Sequence, residues 1–182
     1  MATAEKYFVK GNHYFSKGLY TQAIGAYANA IRRKKDYIIA YINRGNAYCK
    51  LGCYAEAENI YSVAIGQAHE DVRLYYNRAI ARRYLKQLDA AIADYSKVIA
   101  LDPHCADAYI NRANTRAHQN HYKMACQDYS LAIALRPDYA EAYYNRGIAK
   151  GRLGDKAGAK QDIGMANTLK ERSSSQDFSE IE

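Results

Sequence analysis

A segment of 34 residues recurs along this chain, and this repetition limits the possible folds more than any other feature. The stretch AYINRGNAY at 40–48 returns as LYYNRAIAR at 74–82, AYINRANTR at 108–116 and AYYNRGIAK at 142–150. Asn43, Asn77, Asn111 and Asn145 are therefore spaced 34 residues apart. A fixed period of about 20 to 50 residues is typical of a repeat array.

Five repeats of this length occupy almost the whole chain. Continuing the period backwards brings GNHYFSKGLYTQA at 11–23 into the same frame. The predicted organisation is a lead at 1–3, repeats at 4–37, 38–71, 72–105, 106–139 and 140–173, and a disordered acidic tail at 174–182. The second helix of the fifth repeat is predicted to cap the array.

Each repeat shows the pattern of two helices joined by a turn. In repeat 2 the first segment places Tyr41, Gly45 and Tyr48 at the i, i+4, i+7 spacing of one helix face. Pro103 and Pro137 follow two of the second segments, where they prevent the helix from continuing. The chain is therefore predicted to be all-α, with one helical hairpin per repeat.

These residues resemble the tetratricopeptide repeat (TPR) family. The small residue of the first helix recurs as Gly11, Gly45, Ala79, Ala113 and Gly147. The second helix carries Ala23, Ala57, Ala91, Ala125 and Ala159, followed four residues later by Tyr27, Tyr61, Tyr95, Tyr129 and Ile163. The resemblance implies a right-handed superhelical solenoid whose first helices line a concave groove.

The recurring asparagines are the main candidates for function. By the resemblance they lie on the concave side, where an amide can both donate to and accept from the backbone of an extended chain. The predicted peptide-binding residues are Asn12, Asn43, Asn46, Arg73, Tyr76, Asn77, Arg83, Asn111, Asn114, Tyr144 and Asn145. The alternative is that asparagine recurs because one ancestral repeat was duplicated.

The arginine after each asparagine has a structural interpretation. Arg78, Arg112 and Arg146 are each followed at the same offset by an acid of the second helix, namely Asp94, Asp128 and Asp162. We expect ion pairs within these repeats. Arg44 has Ile60 at that offset and therefore lacks such an acid.

A second use of the family is the clamp that grips a C-terminal carboxylate, as in binders of chaperone tails. By the resemblance, Asn12 and Asn43 match the clamp residues, and Arg73 stands where a lysine is expected. Phe8 replaces the first lysine and Asn77 replaces the arginine. The clamp is incomplete, so a terminal carboxylate loses a charged partner.

Charge leaves a nucleic-acid alternative open. The chain has a formal charge of +7, and its last ten residues, SSSQDFSEIE, hold three acids and no base. A basic groove with tyrosines and arginines is compatible with single-stranded RNA, whose binding falls steeply with salt.

Other functional classes find little support in the sequence. No nucleophile, base and orienting residue form a recognisable catalytic arrangement, so we expect no enzyme and no cofactor. The residues His104, Cys105, His118, His121 and Cys126 match no standard zinc spacing, so we expect no metal.

Location and assembly follow from weaker signals. Without a signal-peptide pattern or an apolar run of membrane-spanning length, we expect a cytoplasmic protein with a protein or peptide partner. The terminal repeats offer a surface for a homodimer.

Overall fold

The structure, a computed structural model, describes the backbone of residues 3–179 and the side chains of residues 3–172. Within this range it contains ten α-helices and no strand, which confirms the all-α prediction. The helices are α1 (Ala4–Ser16), α2 (Tyr20–Arg33), α3 (Ile38–Lys50), α4 (Tyr54–Ile65), α5 (Val72–Tyr84), α6 (Leu88–Leu101), α7 (Ala106–His118), α8 (Tyr122–Leu135), α9 (Ala140–Arg152) and α10 (Lys156–Ser179). None of these helices combines the length and the apolar composition that a membrane span needs.

The helix starts follow the sequence period. Each first helix begins at the first residue of a predicted repeat, and each second helix begins 16 residues later. The turn between the two helices contains one residue with a left-handed backbone, such as Gly52 with φ 75° in repeat 2. Lys86, at the same place in repeat 3, adopts φ 61° despite its Cβ.

The last helix is longer than the repeat predicts. α10 continues to Ser179, through the first six residues of the segment predicted to be a disordered tail. No glycine or proline interrupts this stretch, so nothing in its backbone chemistry ends the helix at the repeat boundary. Residues 180–182 of the predicted tail lie outside the described part of the chain.

The structure divides into two units, residues 1–101 and 102–182. In unit 1 each first helix packs on its own second helix, and α2 and α4 pack on the first helix of the next repeat. The first helices α1, α3 and α5 also contact one another in sequence order. The side of unit 1 that these three helices share is called the first-helix face below.

Large rings fill the interior of unit 1. Tyr27, Tyr61 and Tyr95 are fully buried, and each is flanked by buried alanines of both helices. Gly45 passes so close to Tyr61 that a Cβ at this position would overlap the tyrosine ring. A small residue is needed here because the ring occupies the space beside the helix backbone.

Unit 2 repeats the same construction with four helices. α7 packs on α8, α8 packs on α9, and α9 packs on α10. Tyr129 of α8 is buried among Ala113, Ala125 and Ala149. In the last hairpin, Gly147 lies against Ile163, which takes the place of the tyrosine.

Candidate functional site

Three of the predicted asparagine pairs are joined to buried tyrosines by hydrogen bonds. In each case a tyrosine hydroxyl of a second helix donates to the amide oxygen of a first-helix asparagine. The same oxygen accepts an N–H from an asparagine of the following repeat. These amide relays, with the two donor–acceptor distances, are Tyr27–Asn12–Asn43 (2.8 and 3.0 Å), Tyr61–Asn46–Asn77 (2.7 and 3.2 Å) and Tyr129–Asn114–Asn145 (2.6 and 3.1 Å).

The relays fix which amide groups remain for a ligand. An amide oxygen has two lone pairs, and both are engaged in the central asparagine of each relay. Burial raises the pKa of Tyr61 and of Tyr129, so that both hydroxyls remain protonated donors. Asn12, Asn46 and Asn114 therefore present their N–H groups, whereas the sequence interpretation gave them donor and acceptor roles alike.

Repeat 3 lacks this relay. Ile80 stands where repeats 1, 2 and 4 have the central asparagine. Tyr95 is fully buried, and among the described residues its hydroxyl has no hydrogen-bond partner. In unit 2, Asn111 donates its amide N–H to the backbone oxygen of Asp107 at 2.9 Å.

A pocket opens on the first-helix face between repeats 1 and 2. It has a volume of about 280 Å³. Three of its lining residues are predicted site residues, Asn12, Asn43 and Asn46, and the others are Phe15, Ser16 and Tyr27. The pocket thus combines amide groups with two aromatic rings.

The remaining predicted residues differ in their surroundings. The side chain of Arg73 is 59% exposed and forms an ion pair with Asp71 at 2.7 Å. Tyr76 packs edge-on against Tyr95, with 5.9 Å between the ring centres. In unit 2, Tyr144 is 42% exposed, and the Lys170 ammonium lies 5.4 Å from its ring centre.

The expected ion pairs of repeats 3, 4 and 5 are confirmed. Arg78 holds Asp94 through two N–H···O bonds of 2.9 and 2.7 Å, and Arg82 adds a third of 2.9 Å. The same three-residue cluster recurs as Arg112, Arg116 and Asp128, and as Arg146, Lys150 and Asp162. Burial would raise the pKa of Asp162, but its bonds to Arg146 and Lys150 outweigh this and lower it.

Repeat 2 has the exception that the sequence indicates. Arg44 lacks an acid, because Ile60 occupies the position of Asp94. Its guanidinium instead lies 5.7 Å from the ring centre of Tyr48, and its buried Nε has no hydrogen-bond partner among the described residues.

Two connections were missed in the sequence. Asn12, Asn46 and Asn114 occur only in repeats that also carry the second-helix tyrosine, and this co-occurrence was the available signal for the relays. The second base of each ion cluster, such as Arg82, follows the first by four residues, which places both on one helix face.

Ionisable side chains elsewhere form no obvious reaction centre. Among the described residues, no three His, Cys, Asp or Glu side chains are placed to hold a metal ion. Burial raises the pKa of Cys49 and of Cys126, which disfavours the reactive thiolate of both.

Comparison with solved structures shows what the fold is similar to. A crystal structure of MamA is 22% identical, with a TM-score of 0.87 over 91% of this chain and 96% of that chain. MamA from Desulfovibrio magneticus RS-1 is 19% identical, with a TM-score of 0.87 over 93% and 96%. YrrB, described as a TPR protein with an unusual peptide-binding site, is 20% identical, with a TM-score of 0.78 over 91% and 86%.

Family comparisons agree with this fold. Curated protein sequences gave no match. A tetratricopeptide repeat model matches residues 72–105, and a TPR repeat model matches residues 11–52 and 114–154. Together these matches cover more than half of the chain, and proteins of this type are generally interaction scaffolds. The chain belongs to the tetratricopeptide repeat family.

Proposed function

We propose that this protein is a non-catalytic adaptor that binds an extended segment of a partner protein on its first-helix face. The observation that carries the proposal is the pocket lined by Asn12, Asn43 and Asn46, whose amides retain hydrogen-bonding groups. YrrB, with the same fold, is described as having a peptide-binding site. The cytoplasmic location and a homodimer through terminal repeats stay predictions.

The hydrogen-bonding groups that remain favour a peptide backbone. Asn12 and Asn46 offer N–H donors, because their oxygens are occupied in the relays. Asn43 uses one N–H in its relay and keeps its amide oxygen as an acceptor. A backbone offers both a C=O and an N–H at every residue except proline, so it complements this mixture.

The relays also hold the amides in place before binding. Each central amide is fixed by two bonds, one of them to a buried tyrosine. A fixed donor loses less rotational freedom on binding than a mobile side chain, which favours affinity. Because neighbouring helices lie about 10 Å apart and an extended chain rises about 3.3 Å per residue, successive amides meet about every third residue.

The carboxylate-clamp alternative is weakened by two contacts. Arg73, the cation that matches a clamp position, is bonded to Asp71 through both carboxylate oxygens. Phe8, in place of the first clamp lysine, packs its ring on Tyr27 and Tyr37. A terminal carboxylate would meet one neutralised cation and one apolar ring at these positions.

Peptide capture tests the proposal. The probe is a displayed library of random ten-residue peptides, with the full chain as bait. We expect Asn43→Ala/Asn77→Ala/Asn111→Ala to keep its helicity but to lose capture at least about tenfold, since three amide contacts are removed.

A second triple variant provides the matched control. Asn29, Asn59 and Asn167 lie on second helices, so replacing them by alanine removes three amides away from the first-helix face. Equal capture by the two triple variants, measured at equal helicity, would exclude the amides as the binding groups.

Salt separates the nucleic-acid alternative. Binding of single-stranded oligouridylate would weaken steeply between 50 and 200 mM salt, whereas hydrogen bonding to a peptide backbone responds weakly. Salt-sensitive oligouridylate binding without peptide capture would favour the RNA function.

A further inference from the structure

The hydroxyl of Tyr95 is a buried polar group that the protein itself leaves unpaired. The equivalent hydroxyls of Tyr27 and Tyr61 donate to Asn12 and Asn46. Ile80 replaces this asparagine in repeat 3, and a hydrocarbon side chain cannot accept a hydrogen bond. An unpaired buried hydroxyl costs about 1 to 3 kcal/mol, so a ligand that pairs with it gains that energy.

Three side chains of α5 surround Tyr95. The Tyr76 ring lies 5.9 Å from the Tyr95 ring, centre to centre, and Ile80 packs against the same cluster. Burial raises the pKa of Tyr95, and the positive charge of Arg83 opposes this rise. Residues 76, 80 and 83 follow the i, i+4, i+7 spacing of one helix face, so they belong to the first-helix face.

The positive charge is particular to repeat 3. The position of Arg83 is occupied by Phe15, Cys49, Ala117 and Gly151 in the other four repeats. Repeat 3 therefore combines an unpaired hydroxyl donor with a guanidinium at a place where the other repeats have uncharged residues.

We propose, on the basis of the proposed function, that Tyr76, Ile80, Arg83 and Tyr95 form a subsite for an aspartate or glutamate side chain of the bound segment. The carboxylate accepts N–H bonds from Arg83 and the O–H of Tyr95 once the Ile80 side chain turns aside. A guanidinium has five N–H donors, so Arg83 can hold a carboxylate together with its present contacts. The amides of repeats 1 and 2 then bind backbone, and repeat 3 selects sequence.

The overall charge agrees with an acidic ligand. Residues 1–172 contain all 26 lysines and arginines but only 16 of the 19 acids, which gives a net charge of +10. A positive surface raises the association rate of anionic segments.

Peptide selection tests the subsite with the same ten-residue library and the full chain. We expect wild-type protein to enrich Asp or Glu at one fixed position. A selected peptide with Glu at this position should bind at least about tenfold more tightly than its Gln counterpart, since a charged hydrogen bond contributes about 1.5 to 3 kcal/mol.

Variants assign this preference to individual groups. Arg83→Gln should reduce the Glu-to-Gln ratio to below about twofold, and Tyr95→Phe should reduce it by a smaller factor, since it removes a neutral donor. Lys86→Gln is the matched control, because it removes the same charge three residues away on an exposed turn. Melting curves establish that each variant is folded, and Arg83→Lys, which keeps the charge, should retain most of the preference.

The outcomes separate the two proposals. Captured peptides without an acidic preference, or with a preference that Arg83→Gln leaves intact, overturn the subsite and leave the proposed function standing. Failure to capture any peptide overturns both.

Discussion

Repeats 2 and 3 share one backbone plan and differ in how their interiors are held together. Repeat 2 has Gly45, Asn46 and Ile60 where repeat 3 has Ala79, Ile80 and Asp94. The first set gives close ring packing and an amide relay, and the second gives an ion cluster. The same hairpin can therefore be stabilised by either kind of contact.

Each of the two repeats also leaves one polar group unsatisfied. In repeat 2 the Nε of Arg44 has no hydrogen-bond partner, because its acid is missing. In repeat 3 the hydroxyl of Tyr95 has none, because its asparagine is missing. The repeats thus satisfy opposite members of the same two polar sites, which suggests substitutions that separate the two plans.

The largest effect is expected from the ion cluster of repeat 3. Asp94→Ala leaves the largely buried Arg78 and Arg82 without their shared carboxylate and should lower the free energy of unfolding by about 3 kcal/mol. Arg44→Met in repeat 2 should cost less than about 1 kcal/mol, because Arg44 has no acid to lose. Urea unfolding followed by circular dichroism measures both, and equal losses would contradict the distinction.

The next effect concerns ring packing in repeat 2. Gly45→Ala places a Cβ against the buried ring of Tyr61 and should destabilise the protein by about 1 to 3 kcal/mol. Gly25→Ala is the control, since a Cβ there meets no atom within 4 Å and should stabilise α2 by about 0.5 to 1 kcal/mol. If thermal unfolding shows the same sign for both variants, close packing at Gly45 is not the cause.

A smaller effect separates the two tyrosines. Tyr61→Phe removes a hydroxyl that donates to Asn46 at 2.7 Å and should cost about 1 kcal/mol. Tyr95→Phe removes an unpaired hydroxyl and should be neutral or stabilising. Chemical denaturation of the two variants side by side tests this, and an equal loss would show that Tyr95 has a partner in solution.

The smallest effect is expected in the turns. Lys86→Gly relieves a left-handed backbone at a residue with a Cβ and should stabilise the protein by about 0.5 to 1 kcal/mol. The reverse exchange in repeat 2, Gly52→Lys, should destabilise it by a similar amount, because Gly52 has φ 75°. Melting temperatures that move in the same direction would rule out backbone strain as the explanation.

The sequence predicted contacts within one hairpin better than contacts between hairpins. Arg78 and Asp94 lie 16 residues apart and carry opposite charges, so their pairing can be inferred from a fixed offset. Asn46 and Asn77 lie 31 residues apart in different repeats, and their amides can donate or accept in either direction. Their bond depends on how neighbouring helices pack, which residue type alone does not specify.

The sequence by itself determined the period, the two helices of each repeat and the acids that the arginines would bind. These features depend on local backbone preference and on charge, which a fixed spacing expresses directly. Only the tertiary structure decided that Asn12 and Asn46 have their oxygens occupied and that Tyr95 and Arg44 each keep an unpaired group. The reason is that a polar group is satisfied by whatever lies within about 3 Å of it, and helix packing brings those groups together.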